Sequence, residues 1–466
     1  MEKKGFLFLV GALDAAVFFL VVLSSLPDLA KIILAVAVLG IGGHYISREA
    51  GWESYFGVGL ARGKHGFSLI ERAARAYIGL LRFVSELGAG VGYGLPYSFA
   101  VFGGKKRLLL SIVICNLFFT AIFSIGSLPD AAGLRDNPVA VGMAVCGLLG
   151  GLALQSVWLL GFGLFRILTV PNATPGAQLL IVGVTVPWEW VFGLAIAATV
   201  HEFAHGVLCK AEKMHLKATG VILFGFLPLG AFVEPDEEAF KKIPLEKKRR
   251  ILAAGPTANL IAFLVFTIAL FAFAAISSAP YEEATAIRIL SVNSSYPGSS
   301  ALTPADLVLK ADGKSINGLS ALSSVISSKK PGEKIVFEMS SGGPSEVFVG
   351  KDGKLGITVI TSARPGAEAL FLFIGFLFTL ISSTAYLNLA IGSINLVPIF
   401  ITDGGRLVFE ELSSALRGKF GEKRGRELAD KLSLAASGLA LALILGNLLL
   451  PSALKFLEGF FPQPFP

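Results

Sequence analysis

Uncharged apolar runs alternate along this chain with short basic stretches. A helix needs about 20 predominantly apolar residues to cross a bilayer. Gly5 to Leu26 is one such run, interrupted by Asp14, and Ala30 to Ile46 follows after the turn Ser25-Leu26-Pro27-Asp28. Together they predict a helical hairpin. Met1 to Ser24 has a basic start, yet a second span follows at once and no A-x-A site is evident, so it reads as a first membrane helix and not as a cleaved leader. Further spans are expected at Leu108–Ile125, Val139–Phe165, Val191 onward, Ile251–Ile276, Ala367–Leu389 and Leu432–Leu450. Gly88 to Gly104 is uncharged but glycine-rich and contains Pro96; it either crosses or re-enters. The chain is thus expected to cross nine times, or eight if that segment turns back.

Four stretches break the pattern. Phe67 to Leu87 has apolar residues at helical spacing with arginines between them, as in a basic amphipathic helix lying on a membrane face. Leu168 to Val186, with Pro171 and Pro175, reads as a broken loop. Gly220 to Val233 is apolar but too short to span as a helix, and its glycines and Pro228 suggest an extended hairpin. Bare backbone at membrane depth survives only against protein or a water-filled cavity, which puts this hairpin beside whatever site the chain builds. Ser277 to Arg364 changes character: charges, serines and short β-type runs such as Lys334-Ile335-Val336-Phe337-Glu338 alternate with Gly and Pro turns, as in a small soluble α+β domain.

The expected organisation is therefore an N-terminal hairpin (1–47), a basic amphipathic segment (48–87), further spans and a loop (88–186), and a first core region (187–276). The small domain (277–364), a second core region (365–406), and a charged segment with a last span (407–466) follow. The fold class is a mainly α polytopic membrane protein with a membrane-inserted β-hairpin and one small soluble domain.

Composition sharpens this picture. Of 466 residues 54% are hydrophobic and 16% charged, against about 45–50% and about 25% in soluble domains. The net charge of +7 comes from positives clustered beside apolar runs, which points to cytoplasmic loops and away from nucleic acid. Three widely spaced cysteines, Cys115, Cys146 and Cys209, suit neither a disulfide framework nor a metal site. With Glu2-Lys3-Lys4 inside and nine crossings, Lys241–Arg250 falls inside and the small domain outside. Lys105–Arg107 then falls outside, against the charge rule.

The chemistry lies in His201-Glu202-Phe203-Ala204-His205, at the end of the uncharged run Val191–Val200. Histidines four apart on a helix share one face and suit two ligands of one Zn²⁺, and the glutamate between them can serve as general base on water. A third ligand could be Glu234 or Asp403. Glu234 lies downstream at a distance that a soluble-type zinc protease could use. Asp403 follows Asn395 and Pro398, which would break a helix inside the membrane, where a carboxylate needs a compensating partner and a metal is a good one; the alternative is a cap for the helix from Gly405 onward. A membrane-anchored protease of soluble type and a metal transporter or channel are the alternatives to an intramembrane protease.

His201-Glu202-x-x-His205 with Asn395-x-x-Pro398-x-x-x-x-Asp403-Gly404 resembles the site-2 protease family of intramembrane zinc metalloproteases, peptidase family M50. Gly255-Pro256-Thr257-Ala258-Asn259 is similar to that family's third motif. The resemblance implies one catalytic Zn²⁺ on His201, His205 and Asp403, Glu202 as catalytic base, and Asn259 and Asn395 as groups that bind substrate or stabilise an oxyanion. It also implies transmembrane protein substrates within a lipid bilayer, cleaved toward the cytoplasmic side of a cell membrane. Phe400 departs from the family, which often has a second proline there. Pro297-Gly298-Ser299-Ser300-Ala301-Leu302, Asp306 and Asp312-Gly313-x-x-Ile316-Asn317-Gly318 resemble a PDZ module, which implies an extracytoplasmic domain able to capture a peptide, with Ala305 where glycine is usual.

Overall fold

The computed structural model describes residues 3–22, 24–64, 66–126, 138–170, 185–296 and 301–460. Pro297–Ser300, and the part of the Leu168–Val186 loop that holds Pro171 and Pro175, lie outside the described residues. Two compact units emerge, Met1–Val265 with Ser383–Pro466, and Phe266–Ser382.

The first unit begins with α1 (Lys3–Val22) and α2 (Asp28–Ala50), then β1 (Glu53–Tyr55), β2 (Val58–Gly63), α3 (Phe67–Ala76), α4 (Ile78–Phe102), α5 (Lys106–Gly126) and α6 (Pro138–Thr169). It continues with α7 (Trp190–Ala211), β3 (Leu216–Phe224), β4 (Leu227–Pro235), α8 (Glu237–Lys242) and the first part of α9 (Leu245–Glu283). Eight helices among the described residues are long and apolar enough to cross a membrane, and α4 is not one of them. One of the eight, α6, is interrupted partway along at Gly151.

Helix α4 turns back on itself. Gly94 sits at φ +81 inside it and Pro96 follows. Ser98 Oγ donates to the Gly90 carbonyl at 3.2 Å, and Lys105 Nζ reaches Glu86 at 2.9 Å. Nineteen residues of straight helix would hold that last pair about 28 Å apart. Gly88–Gly104 therefore re-enters, and Lys105, which also meets Glu246 at 3.3 Å, lies on the same face as the basic start of α9. In the nine-crossing arrangement Lys105–Arg107 and Lys241–Arg250 lie on opposite faces, which the Lys105–Glu246 contact does not fit. Helix α6 reverses in the same way at Gly151, φ +61. Gln155 Nε2 donates to the Met143 carbonyl at 3.0 Å, and Trp158 fills the space beside Gly142. The two turns abut: a Cβ on Gly94 would strike the Gly150 and Gly151 backbone, and one on Gly151 would strike Val91 and Gly92.

The expected two-stranded hairpin is part of a four-stranded antiparallel sheet in the order β1-β2-β3-β4. Strand β2 pairs along β3 from Val58↔Phe224 to Gly63↔Thr219. That leaves β4 as an edge, and it lies on α7, where Gly230 has no room for a Cβ beside Ala198. At the β3–β4 turn, Phe226 N–H donates to Asp14 at 3.1 Å, which gives the carboxylate in the first apolar run its partner.

The amphipathic stretch divides at Tyr77 into α3 and the start of α4. Ile70 and Ala74 of α3 pack with Val207, Leu208 and Ala211, so much of its apolar face rests on α7 and not on lipid. Glu71 of α3 bonds Lys210 at 3.0 Å, and that ammonium holds its carboxyl below the usual range. At the start of α9 the basic run divides its contacts among three helices. Lys248 and Arg249 pair with Glu410 (3.0 Å) and Glu411 (2.6 Å) of α12 (Asp403–Phe420). Arg250 pairs with Glu86 of α4 at 2.7 Å and with Glu212, just past α7, at 3.2 Å. The Glu212 side chain is fully buried. Helix α13 (Glu422–Phe460) completes the unit and packs on α6 and α12.

The second unit holds the far part of α9, β5 (Thr285–Val292), β6 (Leu307–Ala311), β7 (Lys314–Ser315), α10 (Leu319–Ser327), β8 (Lys334–Met339), β9 (Gly342–Phe348), β10 (Ile357–Ala363) and the start of α11 (Glu368–Ile394). Its sheet runs β10-β5-β6-β8-β9, with β7 on β6, over a core that includes Ile287, Val308, Ile316, Ile335 and Phe337. Ala305 adopts φ +77, a conformation that glycine takes without strain.

Candidate metal centre

Helix α7 is 22 residues long, about 33 Å at 1.5 Å per residue, which is enough to span a bilayer. His201 lies roughly midway along it. Four residues on a helix amount to just over one turn, so His205 presents its ring beside that of His201, and the two Nε2 atoms are 3.1 Å apart. Asp403 Oδ2 lies 2.9 Å from His201 Nε2 and 3.1 Å from His205 Nε2. Among the described residues this is the one group of three or more His, Cys, Asp or Glu side chains close enough to share an ion.

The outer hydrogen bonds decide what the ring nitrogens offer. Asn259 of α9 donates through Nδ2 to the Ala197 carbonyl (2.9 Å) and to Asn388 Oδ1 (2.8 Å). Its Oδ1 is therefore turned to His201 Nδ1, 2.6 Å away, and can only accept. His205 Nδ1 faces the Ile251 carbonyl at 2.8 Å, another pure acceptor. Both imidazoles thus carry their proton on Nδ1 and aim an Nε2 lone pair inward. Two lone pairs and a carboxylate oxygen converging at about 3 Å repel one another unless a proton or a metal ion lies between them. The donor set, two imidazoles and one carboxylate, is that of a catalytic zinc site with a position left open. Gly255 of α9 makes room for it, since a Cβ there would overlap both Nε2 atoms.

Asp403 reaches the histidines through a loop that Asn395 and Pro398 open between α11 and α12. Thr402, not Asp403, caps α12: its Oγ1 accepts from Gly405 N–H at 3.1 Å and lies 2.7 Å from the Val397 carbonyl. This leaves the Asp403 carboxylate free for the site. Gly404 N–H donates to the Asn395 carbonyl at 2.7 Å, and a Cβ on Gly404 or Gly405 would strike the carbonyls of Leu396 or Ile399. Phe400, at the place of the family's second proline, is 63% exposed and takes no part in this packing.

Glu202 Oε2 accepts from Val233 N–H of β4 at 3.1 Å, so the carboxylate is held between the site and the sheet edge. Asn259, expected as a substrate or oxyanion group, touches His201. The Asn395 amide bonds back to the Ile391 carbonyl at 3.1 Å, and it is the backbone of Asn395 that supports the Asp403 loop. Glu234 faces Arg62 of β2 at 3.7 Å and is not among the side chains grouped with His201 and His205. The sequence reading missed Asn388. An asparagine inside an apolar span is a signal in itself, because an unpaired amide is costly there.

Residues 189–441 match peptidase family M50. An uncharacterised protein of Methanocaldococcus jannaschii is 30% identical over 294 residues, 62% of this chain and 75% of that protein. A putative zinc metalloprotease of Nostoc sp. is 26% identical over 208 residues, 38% of this chain and 54% of its own length. A membrane-bound transcription factor site-2 protease homologue of Arabidopsis thaliana is 25% identical over 118 residues, a quarter of this chain and 23% of its own. The HExxH helix, the loop that brings an aspartate to it and a match over more than half of the sequence agree: this multi-pass membrane chain is a metallopeptidase and belongs to peptidase family M50, the site-2 protease family.

Proposed function

We propose that the chain is an intramembrane endopeptidase that cleaves membrane protein substrates in or near their transmembrane helices, as in regulated intramembrane proteolysis. The observation that carries this reading is the convergence of two imidazole lone pairs and a carboxylate about halfway along a helix of membrane length. His201, His205 and Asp403 hold one Zn²⁺. Bound there, zinc supplies Lewis acidity and makes water a usable nucleophile near neutral pH. Glu202 takes the proton from the attacking water and passes it to the departing amine. Asn259 and the Ile251 carbonyl keep both imidazoles in the ligating tautomer throughout.

A substrate helix has its carbonyls hydrogen-bonded and must be unwound before hydrolysis. The β4 edge supports a way to hold the unwound segment by strand addition. Val233 N–H points away from β3, and by alternation the backbone of Ala231 does so too. A substrate strand lying there passes beside Glu202. Seven helices carry the chain across, with α4 and α6 each returning to the face it entered. Basic Lys105–Arg107 and Lys241–Arg250 then share the cytoplasmic face of a cell membrane, and water enters from the C-terminal end of α7. Residues 277–364 act as an extracytoplasmic PDZ-like module that screens substrates or captures a peptide end.

Glu202→Gln is expected to keep one zinc per chain and the native melting profile while cutting cleavage of a model membrane substrate to background. Near-wild-type turnover in that variant would sink the assignment. Metal flux in liposomes without proteolysis would favour a transporter instead.

A further inference from the structure

We infer that Tyr93 of α4, outside the stretch that matches the family, is a positioning residue for the aspartate ligand. The inference rests on Asp403 being a metal ligand. The Tyr93 hydroxyl lies 3.1 Å from the Leu396 carbonyl and 3.3 Å from the Gly404 carbonyl. These carbonyls stand at the two ends of the loop that delivers Asp403, and Gly404 is its direct neighbour. One phenolic proton shared between them fastens the beginning of the loop to its end. The approach is close on independent grounds: Gly92 has no room for a Cβ because the Leu396 side chain fills that space, and Leu396 is buried. The limb of α4 that bears Tyr93 is itself held by Arg250 on Glu86 and by Ser85, whose hydroxyl donates to the Arg250 carbonyl. The loop contains no regular element between Ile394 and Asp403. Its shape therefore depends on such outside contacts, and the re-entrant α4 supplies one where the carboxylate is attached.

Tyr97, one turn further on the other side of Gly94, provides the control. Its hydroxyl bonds Glu411 at 3.0 Å, well along α12 from Asp403. Both Tyr93→Phe and Tyr97→Phe remove one buried hydroxyl from the same helix. The full chain in detergent is stripped of metal and titrated with Zn²⁺ against a chromophoric chelator, and its Co²⁺ form is examined by visible absorption. Tyr93→Phe is expected to weaken zinc binding about tenfold, within the range for groups that support a metal ligand. It should also shift the Co²⁺ bands and speed amide exchange in residues 395–404. Tyr97→Phe should leave all three unchanged. Unaltered affinity and spectrum in Tyr93→Phe, or equal changes in the two variants, would overturn the inference. Asp403→Ala, run in parallel, should lose tight zinc binding. Retention of zinc there overturns the ligand assignment itself, whatever Tyr93 does.

Discussion

The two sides of the candidate metal site are built on different principles. On α7, His201 and His205 owe their relation to helix geometry alone: a spacing of four and regular backbone bonds set their rings side by side. Across from them, Asp403 stands on a non-repeating loop whose shape is imposed by Thr402, two glycines without room for a side chain, and a tyrosine more than three hundred residues earlier. The helix sets the ring spacing within five residues, and only the tautomers are fixed from outside, by Asn259 and the Ile251 carbonyl. The loop borrows its design from the rest of the chain. A metal site assembled from one self-sufficient half and one dependent half should fail first, and most often, on the dependent side.

Three substitutions test that contrast. Arg250→Met should have the largest effect, because Arg250 joins α4, α7 and α9 and its loss removes one cation from each of the buried Glu86 and Glu212, which keep Lys105 and Arg82. A cost of about 3 kcal/mol is expected, the low end for breaking a buried pair. Thermal denaturation in detergent would measure it, and a change below about 1 kcal/mol would mean that the two halves are joined by other means. Gly404→Ala comes next. Its methyl would strike the Leu396 and Asn395 carbonyls, so zinc affinity should fall roughly a hundredfold, at the upper end for supporting groups, while the far-ultraviolet spectrum stays helical. Chelator competition that finds wild-type affinity would show the loop to be more compliant than its packing implies. Asn388→Ala tests the histidine side. It removes one of the two acceptors that fix the Asn259 amide, and the helix still sets the ring spacing. A loss near tenfold is expected. A loss as large as that of Gly404→Ala would abolish the distinction between the halves.

The same contrast explains what could be read in the sequence. The His201–His205 pair was legible because its meaning is local. Asp403 was legible as a charged residue after a break in an apolar span, but chemistry alone left it in competition with Glu234 and with a capping role. Only the fold shows that Thr402 takes the cap and that Arg62 takes Glu234. Asn388 stood in plain view inside an apolar run and needed only the question of what satisfies its amide. The reversal in Gly88–Gly104 was legible as one of two readings, from its glycines and Pro96, but its place at Gly94 and the reversal at Gly151 were not. The sequence holds 53 glycines, and nothing local separates these two from those within ordinary helical turns. Strands β1 and β2 were hidden in a basic flank because three and six residues are too few for their alternation to stand out.

The meeting of Gly94 with Gly151 has a consequence for how the protein is made. A helix that turns around partway through lipid leaves peptide groups at the bend that water cannot reach, and such a bend is tolerated only where other protein covers it. Here each bend covers the other. As the chain is synthesised, the first bend emerges long before its counterpart exists, so it must wait at the membrane surface or in the care of the insertion machinery. The catalytic helices come later still. The order of the chain then lets the two bends close on each other before the loop that meets Tyr93 is made.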